Sequence, residues 1–206
     1  MSKVHPGAAL AILATLLATP AMADGGVKKP STGSATAAAV PPGTCTREQL
    51  TVIDEAFTTA RERVQAALAF IDERPEDPHI RRWFGTTPRK VVRHHFSLID
   101  AGLHDGGRPR MRCNDPEACP QGHGSRFAYA RQSDRLLGFC HSFFSTGTRG
   151  QDARFGVVVH ELSHIVVGTR DAAYQPRGAE SLAKDEPLVA AMNADNYEYF
   201  VGFLPD

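Results

Sequence analysis

Apolar residues recur at helical spacing along the first half of the chain. Leu50, Ile53, Phe57, Val64, Leu68 and Ile71 fall mostly on one stripe of a 3.6-residue repeat. Thr46-Arg47-Glu48-Gln49, just ahead, has the S/T-x-x-E/Q form of a capping box, and Pro75 stops the run. A second helix is predicted from Thr87, with Pro88 in its first turn and Val92, Phe96 and Ile99 on its apolar face. From about 108 to 140 the pattern changes: Gly, Pro, Asn and Asp separate short runs, and 126–130 and 136–140 read as strands. A third helix is predicted over 153–167, closed by Gly168, and a fourth from about 187 to 200. There is no internal repeat. Helices dominate and strands are few, which predicts an α+β class.

The N-terminus follows other rules. Lys3 and His5 precede an apolar run over 7–17, and Ala21-Met22-Ala23 offers an A-x-A cleavage site before Asp24. This predicts a secretory signal peptide over 1–23; the run is shorter than the roughly 20 residues that span a bilayer. Residues 24–44 are rich in Gly, Pro, Ser, Thr and Ala with no large apolar side chain, so a flexible linker is expected. The folded domain is then 45–206. Export, to the periplasm or beyond the cell, implies oxidising conditions, so Cys45, Cys113, Cys119 and Cys140 should pair, with three pairings open. Lys+Arg and Asp+Glu both number 23. That balance excludes nucleic-acid or acidic-membrane binding driven by bulk charge, and 42% hydrophobic residues exclude a wholly disordered chain.

The chemistry lies on the third predicted helix. His160-Glu161-Leu162-Ser163-His164 is an HExxH motif. Positions i and i+4 share a helix face, so both imidazoles can reach one metal ion, with Glu161 placed to take a proton from water. The flanking Val157, Val158, Val159, Ile165, Val166 and Val167 bury the helix, and buried imidazoles need partners. A third ligand is required. The long metzincin pattern fails, because Val167 and Arg170 stand where it needs Gly and His; a Glu further along is possible, with Glu180 and Glu186 as candidates.

HExxH followed by Gly168-Thr169-Arg170-Asp171-Ala172-Ala173-Tyr174 resembles the deuterolysin (aspzincin) family of zinc endopeptidases. The resemblance implies one zinc per chain on His160, His164 and Asp171, Glu161 as base, and Tyr174 stabilising the tetrahedral intermediate. Met192-Asn193-Ala194-Asp195-Asn196-Tyr197-Glu198 is similar to a helix of the peptidyl-Lys metalloendopeptidase branch. By that likeness, Asp195 and Glu198 form an acidic pocket for the lysine just after the scissile bond; spacing i, i+3 puts both carboxylates on one helix face. Trp83-Phe84-Gly85, Phe127-Ala128-Tyr129 and Thr146-Gly147-Thr148 also look like family positions. The resemblance further implies a zincin-like, mainly helical single domain with a small antiparallel sheet and disulfides Cys45–Cys113 and Cys119–Cys140. It departs at Gln175, where the family usually has Gly, and in a short loop between His164 and Asp171.

The expected partners are protein or peptide substrates containing lysine, with no nucleic acid and no membrane once the signal is removed. A monomer is expected, with the oligomeric state left open. After Cys45 only Lys90 and Lys184 remain, against 18 Arg in the chain, which suits a lysine-directed protease but equally a coding bias toward Arg. His94-His95 and the other scattered histidines carry no ligand spacing, and Trp83-Phe84 reads as core. Two alternatives stand beside a Lys-directed protease: a deuterolysin-like protease of broader specificity, and a catalytically silent exported binding protein.

Overall fold

The computed structural model describes residues 41–119 and 126–205. The expected signal peptide lies outside them, as does most of the expected linker. Its last residues, 41–44, form a turn in which Thr44 N–H bonds to Pro41 O at 3.1 Å, and Gly43 O receives the Cys113 N–H at 3.0 Å.

Helix α1, Arg47–Glu73, starts where the capping box predicts: Thr46 Oγ1 accepts the Gln49 N–H at 3.2 Å while Gln49 Oε1 accepts the Thr46 N–H at 2.9 Å. Its apolar stripe of Ile53, Phe57, Ala60, Val64, Ala67 and Ile71 is buried. A short helix α2, Pro78–Phe84, was not anticipated; Asp77 caps it and Pro78 occupies its first turn. Gly85 ends α2 at φ 56°, and a Cβ there would stand 1.9 Å from the Ala183 carbonyl oxygen. Helix α3, Arg89–Leu103, begins two residues later than expected, with Pro88 as its N-cap.

Three short strands follow: β1 Arg110–Cys113, β2 Ala128–Arg131 and β3 Leu136–Phe139, in the order β1-β3-β2. The sheet is mixed, which corrects the expected antiparallel one. β2 and β3 form an antiparallel hairpin, but β1 runs parallel to β3, with Met111 opposite Leu137. The turn chemistry between β2 and β3 was readable; the direction of β1 is set by the long connection after Cys113, which carries no such signal. The disulfides Cys45–Cys113 and Cys119–Cys140 are both formed. A short helix α4, His141–Ser145, leads to α5, Arg154–Val166, the predicted third helix.

Helix α5 is buried on most of its circumference and packs against α1, α3, α8 and β2. Gly102 of α3 allows close approach: a Cβ there would meet Val166 Cγ1 at 3.0 Å. Past the site the chain forms α6, Gln175–Asp185, and α7, Pro187–Ala190, before α8, Ala194–Gly202. The expected fourth helix is thus broken at Asn193, whose backbone is extended (φ −105°, ψ 127°). Trp83, Phe84, Phe96, Tyr197 and Phe200 fill the aromatic core between α2, α3 and α8. His79 and His95 belong to this core: His79 Nε2–H bonds to Phe200 O at 3.0 Å, and His95 Nδ1–H to the Tyr197 hydroxyl at 2.6 Å.

Candidate active site

HExxH occupies the last turns of α5. Gly168, at φ 83°, turns the chain back, so that Val167 and Gly168 N–H both reach Ser163 O, at 3.0 and 3.1 Å. Arg170 then pairs with the start of α8: its N–H bonds to Met192 O at 2.8 Å and its carbonyl receives Ala194 N–H at 3.0 Å. The next residue, Asp171, is carried over the HExxH face. Its Oδ1 lies 3.1 Å from His160 Nε2 and 3.2 Å from His164 Nε2. Glu161, 8% exposed, presents its carboxylate within 4.8 Å of the ligand atoms of both histidines.

The far sides of both rings are also engaged. His164 Nδ1–H donates to Thr169 O at 2.9 Å, which fixes its tautomer and leaves Nε2 as an acceptor. Ser163 Oγ donates to His160 O at 2.6 Å, leaving Thr169 Oγ1 to donate to Ser163 Oγ, also at 2.6 Å. Gln132, before the β3 strand, donates its amide to His164 O. Asp195 Oδ1 and Glu198 Oε2 of α8 lie 2.9 and 3.2 Å from His160 Nδ1, at ion-pair distance but off the line of a good hydrogen bond. Gly156 makes room for this contact, since a Cβ there would stand 3.1 Å from Glu198 Cγ.

This geometry can be tested against a metal. Around a tetrahedral zinc ion with bonds of about 2.0–2.2 Å, neighbouring donors stand about 3.3 Å apart. Asp171 Oδ1 stands close to that spacing from each Nε2, His164 Nδ1–H has its outer partner in Thr169 O, and two carboxylates stand at ion-pair distance from His160 Nδ1. The residues present therefore fit zinc. Glu180 pairs instead with Arg82, its Oε1 accepting from Nε at 2.8 Å, and Glu186 is exposed at the junction of α6 and α7. Neither joins the cluster.

Electrostatics follow the same arrangement. Burial alone would lower the His160 imidazole, but Asp171, Asp195 and Glu198 reverse this and raise it well above its ordinary value. His164 is likewise raised, with Asp171 and the Thr169 carbonyl outweighing its burial. The two imidazoles hold the Asp171 carboxyl far below the usual carboxylate range. Burial pushes the Glu161 carboxyl up, and the Glu198 carboxyl too. Tyr174 stands at the rim, 61% exposed, its phenol raised by partial burial and then by Asp171.

Asn193 and Asn196 hold the Asp171–Tyr174 turn, a role that sequence reasoning missed. Asn193 Oδ1 accepts the Ala172 and Ala173 N–H groups at 2.8 and 3.1 Å, while its Nδ2 donates to Ala173 O and to Asn196 Oδ1. Asn196 Nδ2 donates in turn to Trp83 O and Ala179 O. Gln175 N–H bonds to Asp195 Oδ2 at 2.7 Å. Nothing local signalled it: Asn193 falls inside the expected fourth helix, whereas here its amide caps a different segment.

Two hollows flank Glu161 and Asp171. One, of about 250 Å³, is lined by Phe127, Val157, Tyr174, Tyr199 and the carboxylates of Asp152, Asp195 and Glu198. The other, of about 360 Å³, runs past His164, Gln132 and Tyr129. Arg126 and Ala128 line both, and β2 is an edge strand beside them.

A buried HExxH helix packed beside a small mixed sheet is the architecture of a zinc peptidase. The structure matches the zinc peptidase from Grifola frondosa with a TM-score of 0.67 at 28% identity, over 77% of this chain and 96% of that one. Residues 71–202 match the family described as aspzincin, lysine-specific metallo-endopeptidase, and the chain belongs to that family. It is 30% identical to the peptidyl-Lys metalloendopeptidase of Pleurotus ostreatus over 162 residues, 76% of this chain and 92% of that one. It is also 30% identical to the peptidyl-Lys metalloendopeptidase of Armillaria mellea, over 76% of this chain, and 31% identical to an extracellular protease of Aeromonas hydrophila, over 79%. The chain spans about half the length of these last two relatives, 44% and 47%.

Proposed function

We propose that the chain is an exported zinc endopeptidase that cleaves the peptide bond before lysine. The observation that carries this is the meeting of His160 Nε2, His164 Nε2 and Asp171 Oδ1 beside Glu161, at the mouth of a hollow walled by carboxylates. His160, His164 and Asp171 would hold one zinc ion, which when bound supplies Lewis acidity toward water and the scissile carbonyl.

The chain's own groups do the rest. The edge of β2 offers backbone groups along which an extended substrate can lie. Glu161 accepts a proton from the attacking water as its oxygen bonds to the carbonyl carbon, and burial, which raises this carboxyl, favours that acceptance. The Tyr174 hydroxyl donates to the carbonyl oxygen as negative charge grows there. Glu161 then passes the proton to the departing nitrogen as the C–N bond breaks. The substrate lysine enters the hollow of Asp195 and Glu198. Two relatives named peptidyl-Lys metalloendopeptidases support the preference, and the disulfides and the extracellular relative support export.

Glu161→Gln tests the chemistry. It is expected to retain zinc and to lose activity by about a hundredfold or more; a variant cutting at the normal rate overturns the scheme. Digestion of a denatured protein, with cut sites read by mass spectrometry, tests specificity. Cleavage spread evenly over residue types would favour the broader protease.

A further inference from the structure

The carboxylate oxygens of the hollow beside His160 are not equivalent. Asp195 has both oxygens engaged, Oδ1 near His160 Nδ1 at 2.9 Å and Oδ2 accepting the Gln175 N–H at 2.7 Å. Glu198 Oε2 faces the same imidazole at 3.2 Å. Glu198 Oε1 has no hydrogen-bond partner, although the residue is only 6% exposed. Oε1 packs toward Gly156, where a Cβ would stand 3.2 Å from it, so the two α8 acids are largely committed to His160, Gln175 and helix α5.

An ammonium brings three N–H donors, so one oxygen cannot satisfy it. Among the carboxylates that line this hollow, Asp152 is the one whose contacts do not involve His160. It is half-buried and held in place on two sides. Its Oδ1 accepts from the Tyr199 hydroxyl at 3.2 Å, and its carbonyl accepts from Thr146 Oγ1 at 2.9 Å. Its backbone is left-handed, φ 55°, a conformation that costs a residue with a Cβ and that Asp and Asn tolerate best.

We propose that Asp152 is a specificity-determining residue: it joins Asp195 and Glu198 in receiving the ammonium of the substrate lysine and supplies the carboxylate of that pocket that is not tied to His160. This rests on the reading of the chain as a protease that cuts before lysine. It adds a third carboxylate, from outside α8, to the pocket of Asp195 and Glu198.

Two peptides, identical except for lysine or norleucine after the scissile bond, test it. Norleucine keeps the aliphatic chain and lacks the ammonium. Asp152→Asn removes the charge, keeps an acceptor for Tyr199 and tolerates the left-handed backbone. It is expected to lower the Lys-to-norleucine ratio of kcat/KM by about tenfold or more, with zinc content and the norleucine rate within about twofold of wild type. A ratio unchanged in D152N overturns the role of Asp152. Should D152N fail to fold, as judged by circular dichroism, Tyr199→Phe replaces it: freeing Asp152 Oδ1 should lower the ratio about threefold, and an unchanged ratio overturns the proposal. A wild-type enzyme without any lysine preference defeats the underlying reading instead, and the two failures are thereby distinct.

Discussion

The amide of Asn193 joins three parts of the molecule: the Asp171–Tyr174 turn, the first turn of α8 at Asn196 and, through Asn196, the carbonyls of α2 and α6. Asn193→Ala would leave two backbone N–H groups and the Asn196 carbonyl without partners, at a cost of about 2–3 kcal/mol in denaturant unfolding. It should also shift Asp171, and a displacement of about 1 Å can reduce activity about a hundredfold. Gln175 presents a different situation. Its φ of 68° is a conformation that glycine adopts without strain, and glycine is the usual residue there in the resembling family. Gln175→Gly is therefore expected to raise stability by about 0.5–1 kcal/mol, read as a higher denaturation midpoint with unchanged slope. This departure was visible in the sequence; its strain was not, because φ depends on the turn that Asn193 and Asp195 impose.

Helices α1, α3 and α5 were legible because each combines a long apolar face with a start or stop signal, as at Thr46 and Gly168. α2 is only seven residues long and α6 is largely polar, so neither shows a full apolar period. The break at Asn193 was hidden because its cause lies some twenty residues away, in the turn the amide binds. The site followed the same division. HExxH and Asp171 were readable as a local pattern, whereas the contacts of α8 with His160 and the place of Asp152 depend on packing between elements. The hairpin of β2 and β3 offers a test at this scale. The Arg131 guanidinium holds the Asp134 carboxyl down to about 2, with Arg110 adding its charge. A depressed carboxyl stabilises the fold above its unfolded value near 3.8 and loses that contribution as pH falls toward about 2. Asp134→Asn should flatten the fall of Tm across that window; a Tm profile parallel to wild type would contradict the assignment.

Across the whole molecule, the disulfides close loops with sequence separations of 68 and 21 residues. Chain entropy assigns about 4 kcal/mol to Cys45–Cys113 and about 3 kcal/mol to Cys119–Cys140. Paired Cys→Ser variants should lose stability in that order by calorimetry. Zinc should act in the same direction, since a ligand bound only by the folded chain stabilises it. Chelation is expected to lower Tm by several degrees and zinc to restore it, with the response weakened in Asp171→Asn. A chelator without effect on either Tm or activity would contradict the metal assignment.

Helix α8 touches His160 from behind with the same two acids that look into the hollow in front. A lineage drifting toward a new side-chain preference therefore has little latitude along that helix, since each change there also disturbs the contact with His160. The opposite wall, at Asp152 and Tyr199, is free of that double duty. Laboratory evolution toward other cleavage sites should accumulate its successful substitutions there first.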